Sequence, residues 1–130
     1  MEYTDNIAAM IGRIPSEITA DTKRDVITFT FEDGGEAQFW HDQGCCESVV
    51  IDDVNGDWSD LIGTPLLVAE ERVSEEAPDG FEIEWGESNT WTFYTFRSVK
   101  GSVDVRWHGS SNGYYSERVD CRVSLPEVTQ

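Results

Sequence analysis

His41-Asp42-Gln43-Gly44-Cys45-Cys46-Glu47 gathers an imidazole, two thiols and carboxylates in one short run. A His placed four residues before a Cys can open a zinc site. A tetrahedral zinc needs a second ligand pair, and the other soft ligands, His108 and Cys121, stand singly. Adjacent cysteines also fit one tetrahedral metal poorly, and a disulfide between neighbours is geometrically unfavourable. The spacing therefore predicts no metal. It predicts that Cys45 and Cys46 are reduced and fill a tight turn as small apolar groups. A Cys–His nucleophile is the alternative chemistry for the same string.

A second constellation is Asp104, Arg106 and His108. Period-two alternation turns Val103, Val105 and Trp107 to the core and these three to the opposite face. The commoner arrangement on an open sheet face is a solvated local ion pair. Scarcity favours a ligand: the chain has 9 Lys and Arg against 26 Asp and Glu, so each cation either counters acids or meets an anion. Ser110-Ser111-Asn112-Gly113-Tyr114-Tyr115-Ser116 reads as an Asn-Gly turn with two tyrosines. It is either a ligand-lining loop or a hairpin with cross-strand rings. The acidic pairs Asp52-Asp53, Glu70-Glu71 and Glu75-Glu76 lack the order of a calcium loop. No phosphate-cradling loop, dinucleotide fingerprint or nucleophile elbow is present. The residues thus point to no catalytic group and no cofactor.

The elements that must position these groups are mostly strands. Asp5 to Gly12 predicts a short helix, capped by Asp5 and ended by Gly12. Val26–Phe31 and Ala37–His41 flank the turn Glu32-Asp33-Gly34-Gly35 and predict a hairpin. Ser48–Asp52 reads as a strand, Asp57–Gly63 as one helical turn, and Pro65–Glu71 as a strand entering the acidic loop Glu75–Gly80. The strongest signals are Trp91–Val99 and Val103–His108 around Lys100-Gly101-Ser102, then a last alternating strand from Glu117 to Leu125. The fold class expected is α+β: a mostly antiparallel β-sheet with one or two short helices, in a single domain spanning 1–130.

The 130 residues carry a net charge of −17, with 12% aromatic residues. That balance disfavours nucleic-acid backbones and anionic membranes as partners. The aromatic content separates the chain from disordered acidic tails. The N-terminus is acidic without an apolar leader, no apolar run has membrane-spanning length, and the thiols suit a reducing compartment; the expectation is a cytoplasmic protein. Five Trp and six Phe suggest more apolar bulk than a two-layer domain hides, hence a homo-oligomer, a dimer or higher.

His41–Val49, Gly56–Gly63, Thr90–Tyr94, Lys100–Val103 and Arg106–Ser116 together resemble a small domain common in bacteriophage genomes and labelled as a domain of unknown function. The first-described type of Thoeris anti-defence protein is similar to it. That resemblance implies a sponge that binds the cyclic ADP-ribose isomer made by bacterial TIR enzymes, and in some members cyclic oligonucleotides, without cleavage. It implies an oligomer working in the cytoplasm of the infected bacterial host. It implies arginines on phosphate, and an aromatic ring and an amide on adenine. The matching positions here are Arg106, Asn89, Phe81 and Arg24. The other readings are a small hydrolase or phosphodiesterase using His41, Cys45 and acids, and an acidic protein–protein inhibitor that mimics nucleic acid.

Overall fold

The computed structural model of the chain describes residues 2–81 and 88–126. Among these residues nine strands form two antiparallel sheets. The first contains β1 (Tyr3–Thr4), β2 (Pro15–Asp21), β3 (Val26–Phe31), β4 (Glu36–Trp40) and β9 (Asp120–Ser124), in the order β1-β9-β4-β3-β2. The second contains β5 (Ser48–Asn55), β6 (Val68–Ser74), β7 (Ser88–Arg97) and β8 (Ser102–Ser111), in the order β5-β8-β7-β6.

The α+β expectation is corrected: the fold is all-β. The two helical segments are single 3-10 turns, Ile7–Met10 and Trp58–Leu61. In the first, Asn6 rather than Asp5 caps the turn, its Oδ1 accepting from Ala8 N–H at 3.0 Å. Ile11 already has extended dihedrals and Gly12 has φ 87°. Too few residues lie between cap and stop for an α-helix to recover its nucleation cost. Asp57 caps the second turn, its carboxylate accepting from Ser59 N–H at 3.0 Å. No helix among the described residues is long and apolar enough to cross a membrane.

The sheets face each other across one core. Alternation in β3 and β4 sends Ile27, Phe29, Phe31, Ala37 and Phe39 inward, while β7 and β8 send Tyr94, Phe96, Val103, Val105 and Trp107 to meet them. Ring centroids of Phe29 and Phe96, and of Phe39 and Tyr94, lie 4.8 Å apart across the gap. Trp58 closes the cluster edge-on to Phe29 at 5.9 Å. Trp91, Trp107 and four phenylalanines are therefore buried within one chain, which removes much of the apolar surplus that argued for assembly.

The hairpin β7–β8 forms where alternation places it, with Phe96↔Val103 and Tyr94↔Val105 paired inward. Strand β2 has no counterpart in the sequence reading. Its sequence, PSEITAD, is mostly polar, and it is an edge strand held by backbone pairing to β3, with Pro15 buried and Ile18 and Ala20 half-buried against the core.

Candidate functional site

On the outer face of the second sheet, strand pairing lays out a row of side chains across all four strands. Asp53 of β5 is opposite Arg106 of β8, Arg106 is opposite Phe93 of β7, and Phe93 is opposite Arg72 of β6. Adjacent strands are about 4.8 Å apart, so the backbones bearing Arg106 and Arg72 are about 10 Å apart, with Phe93 between them. Long side chains can converge over that span. The Arg72 guanidinium lies 4.2 Å from the Phe93 ring centroid.

Arg106 does face outward, as alternation requires, but it has a partner. The pairing of β5 with β8 shifts register between Ile51 and Asp53, so Asp52 is the extra residue of a bulge. Arg106 Nε donates to Asp52 Oδ2 at 2.6 Å. Its two terminal nitrogens make no hydrogen bond among the described residues, and Arg72 makes no ion pair among them. The row borders a concavity of about 380 Å³, walled by Asp53, Asn55, Glu70, Thr95 and Asp104 as well as by the two arginines and Phe93. Arg72 was not legible as a site residue, because β6 reads as a strand running out into an acidic loop. The alternation of Glu70 and Arg72 was the available signal; that they share a face with Arg106 is set by register.

Beside the row stands an aromatic cluster. Trp91 is opposite His108, and the rings stack at 5.1 Å with 25° between planes. Phe81 meets His108 at 4.7 Å and Trp91 at 5.1 Å, both edge-on, and lies 6.0 Å from the Arg106 guanidinium. Trp91 is fully buried although it is on the outward face, and its indole N–H has no hydrogen-bond partner among the described residues. His108 Nε2 donates to Asn89 Oδ1 at 2.8 Å. Arg106, Phe81 and Asn89 thus come together around His108. Arg24 does not join them: it sits in the turn between β2 and β3 on the other sheet, exposed, with a 4.0 Å contact to Asp21.

The His41–Glu47 string forms a clasp between the sheets. His41 Nδ1 donates to the Arg118 carbonyl at 2.7 Å and Nε2 donates to Glu47 Oε2 at 2.9 Å. The ring thus bridges a backbone carbonyl and a buried carboxyl group. The hydrogen bond from His41, followed by that from Gly44 N–H, holds the Glu47 carboxyl below its ordinary range. Both side chains are almost fully buried. Cys45 and Cys46, expected as free thiols, are instead bonded to each other through a trans peptide, with Cα atoms 3.7 Å apart. The loop around them is closed by Glu47, and both residues are exposed. Among the described residues no cluster of three or more His, Cys, Asp or Glu is placed to hold a metal.

The loop read as a ligand lining, Ser110–Ser116, divides. Tyr114 is exposed, while Ser111 points inward and donates to Glu117 Oε2 at 2.5 Å. Thr90 donates to the other oxygen of this buried carboxylate at 2.8 Å. This is a satisfied interior network on the opposite side of the sheet from Arg106.

No curated protein and no solved structure matches the chain. A family model matches residues 8–121, a span that takes in the clasp and every strand of the arginine-bearing sheet. The chain belongs to the family described as domain of unknown function DUF7448.

Proposed function

We propose that the chain is a binding module that captures a small nucleotide with linked phosphates and holds it uncleaved. The observation that carries this reading is the Arg106–Phe93–Arg72 row, in which two guanidiniums, with N–H donors unspent among the described residues, stand on the strands beside one ring. Guanidinium forks match phosphate oxygens, and two of them suit a pyrophosphate. Phe81, next to Arg106, supplies aromatic surface for a base. The acids around the row and the net charge of −17 repel anions at long range. Capture therefore rests on short-range contact.

The resemblance set out above supplies the ligand: the cyclic ADP-ribose isomer of TIR enzymes, with cyclic oligonucleotides as related ligands. On this reading the protein is a phage anti-defence sponge acting in the cytoplasm of the infected host. It is not an enzyme, and it works as a dimer or higher oligomer. Arg24, outside the row within one chain, is then the residue a neighbouring copy brings to it.

The test is incubation with the cyclic ADP-ribose isomer, removal of free ligand, heat denaturation and chromatography of what is released. Intact ligand released from the protein supports the sponge. Release of a cleaved product would make the protein a hydrolase or phosphodiesterase. Ligand that stays entirely in free solution would overturn small-molecule capture and leave the acidic inhibitor.

A further inference from the structure

Cys45 and Cys46 take no part in the arginine row, yet their surroundings are built. Both are exposed. The hydrogen bond from Gly44 N–H to Glu47 Oε2, at 2.9 Å, closes the backbone across the two of them. Gln43 Nε2 reinforces that closure on the Glu47 carbonyl at 2.6 Å. The same Glu47 oxygen accepts from His41, whose other nitrogen holds the Arg118 carbonyl. Asp42 N–H adds a bond to Asp120 at the start of β9. One carboxylate oxygen thus joins the cysteine loop to the connection between β8 and β9.

We propose that Cys45–Cys46 is a thiol–disulfide exchange site, opened by dithiol reductants, whose state is passed to the His41–Glu47 pair. A thiolate of the dithiol attacks one exposed sulfur and forms a mixed disulfide. The dithiol's second sulfur then closes its own disulfide, and Cys45 and Cys46 are left as two thiols. Two electrons and two protons pass from the dithiol to the chain. An accessible disulfide of this kind follows the redox poise of its compartment, in contrast to a sealed structural one. Opening frees the backbone between Gly44 and Glu47, and so moves the amide that shares its acceptor with His41. Cys121 is the internal contrast. It is half-buried, and burial pushes its thiol up to about 12, which leaves it protonated and inert at neutral pH.

The site is independent of nucleotide capture, and its test needs no nucleotide. Protein purified without reductant is alkylated under native conditions and its peptides are weighed. The expected result is no label at Cys45 or Cys46 before dithiothreitol, two labels after it, and none at Cys121 until the chain is unfolded. Two labels before reduction, or labels that enter Cys45 and Cys46 only on unfolding, would overturn the exchange site. Transmission is read from the ring protons of the two histidines by NMR. Dithiothreitol should shift the His41 signal and leave His108 in place, and the Cys45→Ser/Cys46→Ser protein should lose that response. A His41 signal that reduction does not move would overturn the coupling.

Discussion

Arg106 spends one nitrogen on Asp52 and keeps its terminal fork, which is the geometry that accepts a phosphate without first breaking an ion pair. Replacing it with alanine removes the fork and leaves Asp52 uncompensated, so Arg106→Ala should cost about 2–4 kcal/mol of nucleotide binding. Arg106→Lys should recover only part of that, because a point charge cannot bridge two oxygens. Arg72→Ala should weaken the same ligand while Arg24→Ala leaves the intrachain row intact. Calorimetric titration of the ligand into the variants checks all of these, and wild-type affinity in Arg106→Ala would remove the row from the site. A different arginine serves the fold. Arg13 is buried, donates from Nε and Nη2 to the Asp33 carboxylate and from Nη1 to the Ser124 carbonyl, and covers the Phe31 ring at 4.3 Å. Arg13→Ala should lower stability by about 2–4 kcal/mol in urea unfolding, through an orphaned carbonyl, lost packing and an unpaired carboxylate.

The strands and turns hold these residues through a few close approaches. Gly109 of β8 faces the Glu117 backbone. A Cβ there would collide with the Glu117 carbonyl oxygen and approach its Cβ to 2.8 Å. Neither neighbour is a flexible tip. Gly109→Ala should therefore destabilise the protein by about 1–3 kcal/mol, visible as a lowered urea midpoint with an unchanged slope. The Asp33 turn between β3 and β4 and the Glu47 clasp between β4 and β5 share an electrostatic design. Asp33 is held below its ordinary range chiefly by the hydrogen bond from Arg13, and Glu47 by that from His41. Lowered carboxyl values in the folded state favour folding most when the unfolded carboxyls are also ionised. The stability they add is complete above the unfolded value of about 4. It is lost as pH falls through the lower folded values. Thermal melts from pH 7 to pH 3 should show stability falling below that point, and Asp33→Asn should show a shallower fall from a lower starting stability. An acid dependence as steep in Asp33→Asn as in the wild type would locate the sensitivity elsewhere.

The whole molecule is a two-sheet sandwich with a strong negative field and two arginines set together on one outer face. Salt acts on such a binder in opposed ways, screening the long-range repulsion and also the contact with phosphate. The salt dependence of nucleotide binding should accordingly be shallower than that of a basic nucleotide binder, measured as affinity against ionic strength. Assembly is the other property at this scale. Light scattering at micromolar concentration should give at least a dimer, and a monomer would also deny the row any contribution from Arg24 of a second copy.

Period-two alternation is local, so the sequence by itself determined the β7–β8 hairpin, the inward set Val103, Val105 and Trp107, and the outward placement of Arg106. Gly63 likewise marked the end of the second helical turn, because a positive φ depends on a single residue. Sheet order and register are not local. They brought Arg72 into line with Arg106, and placed Arg24 on the other sheet. They also made a strand of the mostly polar Pro15–Asp21, through backbone pairing to β3 and the seating of Ile18 and Ala20 on the core. The short helical signals became single turns because the caps and stops lay too close together. The cysteine pair closed because Glu47 and His41, drawn between two sheets, fold the chain around it. Sheet order and register depend on contacts between residues far apart in the chain, which alternation and composition do not encode.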